Sequence, residues 1–372
     1  MKAGLYFHIP FCIRKCRYCS FNSIPYDKEP AGKYVSALLK EMNLRGGIEP
    51  SSVYFGGGTP TVLPMESLRI ILEGVREHFN PAPGTEMTIE ANPGTLGGVD
   101  FAALGGLGVN RVSLGAQSFN PEELAALGRI HGPGEIIRAV DTLREAGIAN
   151  IGLDLIYSLP GQDMCQWEKS LDEATKLSPE HISLYGLSIE EGTEFHAMEK
   201  AGRIALPPED AQAEMYLYAV NRLEEAGYGR YEISNFARPG YECLHNLNYW
   251  SAGDFTGLGV GAHSRAGARA ARNVSGVEEY IGRLENGEDP REAEEILTEA
   301  EREREFIMLG LRKRRGLSFE DFRAAFGTDF MSKYGLTAAG MAYAGYISTD
   351  SAFACLTMKG VLASNRVIME FF

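Results

Sequence analysis

Three thiols fall within eight residues, at Cys12, Cys16 and Cys19, in the run Phe-Cys-Ile-Arg-Lys-Cys-Arg-Tyr-Cys-Ser-Phe from Phe11 to Phe21. The spacing Cys-x3-Cys-x2-Cys leaves one thiol over in any disulfide pairing and lets a short loop wrap a single inorganic centre. A metal or an iron-sulfur cluster is therefore expected. Arg14, Lys15 and Arg17 stand between the thiols, where positive charge is expected to lower thiol pKa and to offset thiolate charge. Three thiolates are one ligand short of a tetrahedral zinc site or of a fully protein-bound 4Fe-4S cluster. A zinc knuckle completed by His8 is one reading, and a cluster with one open iron is the sharper one.

Further along, Gly56-Gly57-Gly58-Thr59-Pro60 removes three side chains in succession, so that backbone can approach a ligand closely or make an ordinary flexible turn. Glu90 and Asp154 can accept hydrogen bonds from ribose hydroxyls or an ammonium group. Gln117 can donate or accept, and Arg129 can clamp a carboxylate. Taken singly, each also fits a surface or structural role. His245-Asn246-Leu247-Asn248-Tyr249-Trp250 sets an imidazole beside two aromatics, and His263 follows the glycine-rich stretch Gly257 to Gly261. On residue types alone a packed histidine accounts for His245, and His263 ranks below it as a candidate.

The elements that must position these groups are short β-branched or apolar runs alternating with helical patterns up to about Leu187, the signal of repeated βα units around a parallel sheet. Strands are expected at Leu5 to Ile9, Val53 to Phe55, Met87 to Glu90, Arg111 to Leu114, Ile151 to Ile156 and His181 to Leu187. Helices such as Ala31 to Arg45 and Pro121 to Gly128 lie between them. Six units predict an α/β fold of incomplete (β/α)6 barrel type, with ligands at the C-terminal strand ends where the distinctive residues cluster. Beyond it come a helix at Glu209 to Ala226 and, from about Thr298, helices at Glu301 to Leu311, Phe319 to Phe326 and Leu336 to Tyr346 with a hairpin-like end. The expected division is a barrel over 1–235, a connecting region over 236–297 and a small, mainly helical, winged-helix-like domain over 298–372.

The chain has 372 residues and a formal charge of -14, which opposes a phosphate backbone, so nucleic acid is not an expected partner. The basic run Arg312 to Arg315 and the acidic stretch Glu292 to Glu305 are expected to be solvated helix faces. With no apolar run of membrane-spanning length, no signal-peptide pattern and no disulfide framework in Cys165, Cys243 and Cys355, the expected address is the cytoplasm.

The cysteine loop resembles the signature of the radical S-adenosylmethionine (SAM) superfamily. The longer text Tyr-Phe-His-Ile-Pro-Phe-Cys, Phe-Gly-Gly-Gly-Thr-Pro-Thr, Glu-Ala-Asn-Pro, Val-Ser-Leu-Gly-Ala-Gln-Ser-Phe and Asp-Leu-Ile-Tyr-Ser-Leu-Pro-Gly-Gln resembles oxygen-independent coproporphyrinogen III oxidase and its relatives. The resemblance implies that Cys12, Cys16 and Cys19 hold a 4Fe-4S cluster, and that Tyr6, Gly57, Gly58, Thr59, Glu90, Gln117, Arg129 and Asp154 line a SAM site. It also implies the radical SAM barrel and the small C-terminal domain.

His-Asn-x-x-Tyr-Trp is similar to the motif of the HemW-type haem chaperones, which implies haem as cargo with His245 as its ligand. A neutral imidazole is a common axial ligand for haem iron. Three departures favour the chaperone over the oxidase: Phe21 stands where the oxidase has a further cysteine, only eleven residues precede Cys12, and the oxidase lacks the His245 motif. No catalytic residue is assigned, and coproporphyrinogen oxidation is not expected. A radical SAM enzyme with another small-molecule substrate is a third, minor reading. Haem and haem-receiving apoproteins are the expected partners, with membrane-associated haem proteins and a homodimer as further expectations.

Overall fold

Leu5, Phe7, Val53, Phe55, Met87, Ile89, Val112, Leu114, Ile151, Leu153, Ile182 and Leu184 all belong to one buried apolar core. Each pair sits two residues apart on its strand, so the same face of every strand turns to the surrounding helices. The computed structural model describes residues 2–372. Six parallel strands carry these side chains: β1 (Lys2–Ile9), β2 (Glu49–Gly57), β3 (Glu86–Ala91), β4 (Arg111–Gln117), β5 (Asn150–Tyr157) and β6 (His181–Gly186), paired in that order. Each expected strand is present; the first five extend by one to a few residues, and the sixth ends one residue earlier, at Gly186. Gln117, expected just past the fourth strand, is its last residue, because the register shifts after Leu114 and Gln117 takes a left-handed φ of 68°.

The sheet continues at both ends, to twelve strands among the described residues. Phe255–Leu258 runs parallel to β1 and leads into the antiparallel strands His263–Ala266, Arg269–Asn273 and Arg291–Ile296. Asn235–Ala237 pairs antiparallel with β6 at the other end. Thus the segment 236–297, read from sequence as a connecting region, supplies strands to the same sheet as the barrel.

Helix ends follow local chemistry. Asp27 caps helix Lys28–Leu44 by accepting from the Glu29 amide, which starts that helix ahead of the expected Ala31. Thr298 and Glu301 form a reciprocal capping box that opens helix Glu299–Arg312. The helix expected over Leu336 to Tyr346 is instead Phe330–Tyr343: Asp329 caps it, and Gly345, with a positive φ, turns the chain out of it. Together with Phe319–Phe326 and a three-stranded sheet of Leu317–Ser318, Phe353–Leu356 and Ile347–Thr349, these helices make the C-terminal region.

The basic run there is solvated at Arg314 and Arg315, as expected, while Arg312 lies over the Trp250 ring and Arg315 also rests on Phe353. A guanidinium is weakly hydrated and stacks well on aromatic faces, which explains the preference. The acidic stretch is partly paired, as in Arg265 with Glu305 and Arg272 with Glu292. No helix among the described residues is long and apolar enough to cross a membrane.

Glu41 ties helix Lys28–Leu44 to the added strands. Fully buried, it accepts from the Gly259 amide at 2.8 Å, the Tyr280 hydroxyl at 2.6 Å and the Asn273 amide at 2.8 Å. Glu41→Ala strands these donors in a dry site and is expected to lower unfolding stability by roughly 3 kcal/mol, with Glu41→Gln costing less. Urea denaturation of the three proteins measures this, and an unchanged midpoint in Glu41→Ala would contradict the role.

Candidate functional site

With the apolar side chains turned outward, the alternate residues of the same strands face the barrel interior, and most of them are polar: Tyr6, His8, Tyr54, Thr88, Glu90, Arg111, Ser113, Asp154, His181 and Ser183. Several of them pair across the sheet, whereas Thr88 Oγ1, Arg111 Nε and His181 Nδ1 are buried without a partner. The Tyr54 hydroxyl donates to Glu90 Oε1 at 2.9 Å, and the Ser113 hydroxyl donates to Asp154 at 3.2 Å. Burial, followed by the charge of Asp154, pushes the Glu90 carboxyl up to about 7, and burial likewise raises Asp154. Arg111, buried in the same interior, pulls both carboxyls back down.

The cysteine loop sits at the mouth of this interior and is held by backbone hydrogen bonds. Tyr26 N donates to Cys12 O at 2.8 Å, Arg17 N to Leu127 O at 3.1 Å, and Phe195 N to Arg17 O at 3.0 Å. All three thiols are partly exposed, and no three His, Cys, Asp or Glu side chains among the described residues gather as tightly as one metal ion requires. A cubane, with its thiolates on separate corners, does not ask for that convergence. Burial raises the Cys12 and Cys19 thiols, outweighing the nearby cations that were expected to lower them. Part of the reason is that Arg17 is paired with Glu194 and Lys15 bonds the Phe21 carbonyl. The cation that reaches a sulfur is Arg129: its Nη1 lies 3.4 Å from Cys16 Sγ, its Nη2 donates to Gly115 O at 2.7 Å, and its buried Nε has no partner. A thiolate-bound anionic cluster fits beside such a group.

The glycine run fits a different close approach from the one expected. Gly58 N donates to Ile9 O and Thr59 N to Phe11 O, both at 2.8 Å, while Gly57 N donates to Glu90 Oε2 at 3.2 Å. A Cβ on Gly57, whose φ is 109°, would lie 2.5 Å from the His8 ring, and one on Gly58 would lie 2.6 Å from Phe11 O. The run thus lets β2 lie against the start of the cysteine loop, and these three amides are already used within the protein. Thr59 Oγ1 faces Cys12 Sγ at 3.8 Å. His8, the alternative zinc ligand, has both nitrogens engaged, Nε2 with Asn22 O at 2.8 Å and Nδ1 with the Tyr6 hydroxyl at 3.1 Å.

Gln117 and Arg129 come together at Gly115, where a Cβ would meet Gln117 Nε2 at 2.8 Å and Arg129 Nη2 at 3.1 Å. The left-handed backbone of Gln117 turns its side chain back over the strand end. Cys12, Cys16, Cys19, Tyr6, Gly57, Gly58, Thr59, Glu90, Gln117, Arg129 and Asp154 therefore all line the C-terminal end of β1 to β5 or the interior just below it. A small pocket beside Cys16 is bordered by Arg14, Thr59, Asn92 and Thr95.

His245 lies deeper. It is 1% exposed on helix Leu244–Trp250, its Nδ1 is 2.8 Å from Ser52 Oγ and its Nε2 is 2.9 Å from the Tyr249 hydroxyl. Its ring stacks on Tyr54 at 5.0 Å. Burial depresses the imidazole to about 3, so it is neutral near pH 7. His263 is exposed at the start of its strand.

Sequence reasoning missed Tyr54, Ser113 and His131 as partners of the site. His131 holds Asn92 Oδ1 at 2.8 Å and Ala116 O at 3.2 Å. The period-two polar pattern on the strands could have found the first two, whereas His131 reaches Asn92 only through the fold.

Residues 6–174 match the radical SAM superfamily and residues 297–363 match the HemN C-terminal domain. The chain is 36% identical over 372 residues to the heme chaperone HemW of Bacillus subtilis, covering 98% of each chain. It is 41% identical over 267 residues to the heme chaperone HemW of Escherichia coli, covering 70% of each. The structure is similar to that of coproporphyrinogen III oxidase (HemN) from Escherichia coli, with a TM-score of 0.85 and 24% identity over 99% of this chain and 89% of that one, a likeness of fold.

Because the folded Glu90 carboxyl titrates near 7 and the unfolded one near 4.5, the folded state binds the proton more tightly. The stability this contributes is complete below the unfolded value and is lost as pH rises to about 7. Glu90→Gln removes that loss. The melting temperature of Glu90→Gln relative to wild type is expected to rise between about pH 5 and about pH 8, and a pH-independent difference would count against a buried, proton-holding Glu90.

Proposed function

The chain belongs to the HemW family of heme chaperones in the radical SAM superfamily, and from this we propose that it binds haem and hands it to apoproteins, with a 4Fe-4S cluster and SAM as its resident cofactors. The observation that carries the proposal is full-length similarity to heme chaperones, over 98% of both chains in one case. The fold alone does not choose between carrier and oxidase, since the oxidase shares it. Phe21, at the position of the oxidase's additional cysteine, is 66% exposed beside the thiols and offers no sulfur there.

In this reading Cys12, Cys16 and Cys19 would hold the cluster, with SAM bound beside it. Arg129 balances the cluster's charge through Cys16. Tyr6, Glu90, Gln117 and Asp154 receive the polar groups of SAM, and Gly57, Gly58 and Thr59 shape the wall against which it rests. When bound, the cluster supplies one-electron chemistry. The protein's own part is to exclude water, to hold the Glu90 proton and to keep the cysteine loop fixed on β1 and β2. His245 is the proposed axial ligand of haem, neutral and therefore able to present a lone pair. Membrane-associated haem proteins among the recipients, a homodimer and a cytoplasmic address belong to the same proposal.

Anaerobic reconstitution followed by haem titration tests it, with a parallel assay of coproporphyrinogen decarboxylation. Wild type is expected to bind about four irons and four sulfides per chain, to bind haem and to leave coproporphyrinogen unchanged. His245→Ala should weaken haem binding by roughly tenfold or more, or shift its absorption spectrum, without altering cluster content. Decarboxylation without haem binding would overturn the carrier reading in favour of the oxidase.

The cysteines give a separate check. Cys12→Ala, Cys16→Ala and Cys19→Ala are each expected to abolish the cluster and to retain haem affinity, whereas Cys165→Ala should keep both. Iron and sulfide analysis decides this, and zinc without sulfide in wild type would exclude the cluster.

A further inference from the structure

A haem iron needs a ring nitrogen at bonding distance and open space on both sides of the imidazole for the macrocycle. His245 offers neither in this conformation: its ring is inside the barrel, bonded through both nitrogens and covered by Tyr54 and Tyr249. The segment that carries it is held by side-chain contacts, with Asn248 donating to Asp254 O at 3.0 Å and Arg312 over Trp250, but its backbone start depends on one outside group. Helix Leu244–Trp250 has seven residues and receives no side-chain cap from the residue that precedes it, Cys243. Its first amides are instead held by one carboxylate from β3, Glu86, whose Oε2 accepts from Leu244 N at 2.9 Å and whose Oε1 accepts from His245 N at 3.0 Å and faces Cys243 Sγ at 3.5 Å.

At its other end the chain leaves the helix through Ala252, in a left-handed conformation with φ 53°, and Gly253, where a Cβ would lie 2.2 Å from Asn248 Oδ1. Leu244 is already exposed, and Trp250 Nε1 is buried with no partner. A short helix, one external carboxylate at its start and a strained residue just past its end are what a segment that opens as a unit requires.

We infer that helix Leu244–Trp250 is a door closed over its own His245, that Glu86 and Tyr249 are the positioning residues that hold it shut, and that haem is taken up only when the helix swings out. The inference rests on the proposal that His245 ligates haem. In the closed state Tyr249 occupies the nitrogen that iron would take. On opening, His245, Tyr249 and Trp250 leave the barrel together, so the ligand emerges with two aromatic faces on which a macrocycle can pack. The apparent affinity for haem is then reduced by the fraction of molecules in which the door is open.

Cys243 reports on the door without haem, because it is fully buried at the helix start and becomes reachable when the helix leaves. The test is the rate of its alkylation by iodoacetamide in the native full-length chain, read peptide by peptide by mass spectrometry beside the global unfolding rate, for wild type, Glu86→Gln and Tyr249→Phe. Both substitutions are near-isosteric, and global unfolding is measured in the same samples. Alkylation is expected to run ahead of global unfolding in wild type and to accelerate roughly five- to tenfold in Glu86→Gln, as for a lost helix cap. In stopped flow, Tyr249→Phe should bind haem faster than wild type, an effect that a merely structural tyrosine would not produce. Alkylation that tracks global unfolding in all three proteins overturns the door whether or not haem binds, and so does local opening with an unchanged haem association rate in Tyr249→Phe. If wild type binds no haem, the carrier reading fails by itself and alkylation alone judges the door.

Discussion

Arg111, fully buried on β4, is the fixed positive charge of an interior that also contains Glu86, Glu90 and Asp154. The arrangement follows from the strands. Their apolar residues are committed to the helices, so the opposite face must be filled by groups that satisfy each other, and carboxylates gathered there need a cation. Tyrosine, serine and histidine complete the set, each within hydrogen-bonding reach of a neighbour. A parallel barrel with a polar interior is poorly suited to burial for its own sake and well suited to holding a polar ligand against its upper edge.

The cysteine loop depends on that edge. Gly56 and Gly57 at the end of β2, with Gly58 and Thr59 just past it, let the two segments zip together through Gly58 and Thr59, so the thiols are positioned by backbone hydrogen bonds. Glu90 is tied into the same junction through Gly57, and Arg129 ties Cys16 to the end of β4. Cluster loop, carboxylate and guanidinium therefore form one mechanical unit, and a change at any of them is transmitted through short, directional contacts.

His245 belongs to the lower part of the same interior. Its contact with Tyr54 places it one aromatic ring away from Glu90. The environment that keeps it neutral is the environment that hides it, because both follow from burial. If His245 ligates haem as proposed, its burial in the closed chain keeps the imidazole neutral and away from other partners.

The sequence by itself determined the cysteine spacing, the six strands and the placing of Gly57, Glu90 and Gln117 at strand ends with Asp154 inside the fifth strand, because thiol spacing, period-two alternation and strand length are local properties of the chain. It also placed the helices at Glu299–Arg312 and Phe319–Phe326 to within a turn, but missed the start of Phe330–Tyr343, where a cap at Asp329 and a left-handed glycine at Gly345 outweighed the apolar pattern, and read as a hairpin-like end the stretch that forms helices Met358–Leu362 and Ser364–Met369 after the strand Phe353–Leu356. Only the tertiary structure decided that the amides of Gly57, Gly58 and Thr59 are used inside the protein, that Arg129 rather than Arg14, Lys15 or Arg17 reaches a cysteine, and that 236–297 extends the sheet. It alone decided that His245 is closed off by Ser52 and Tyr249. Apart from the His245–Tyr249 contact within one helix, each of these depends on residues tens or hundreds of positions apart meeting at a few ångströms, and no local pattern encodes which donor will find which acceptor once the chain has closed.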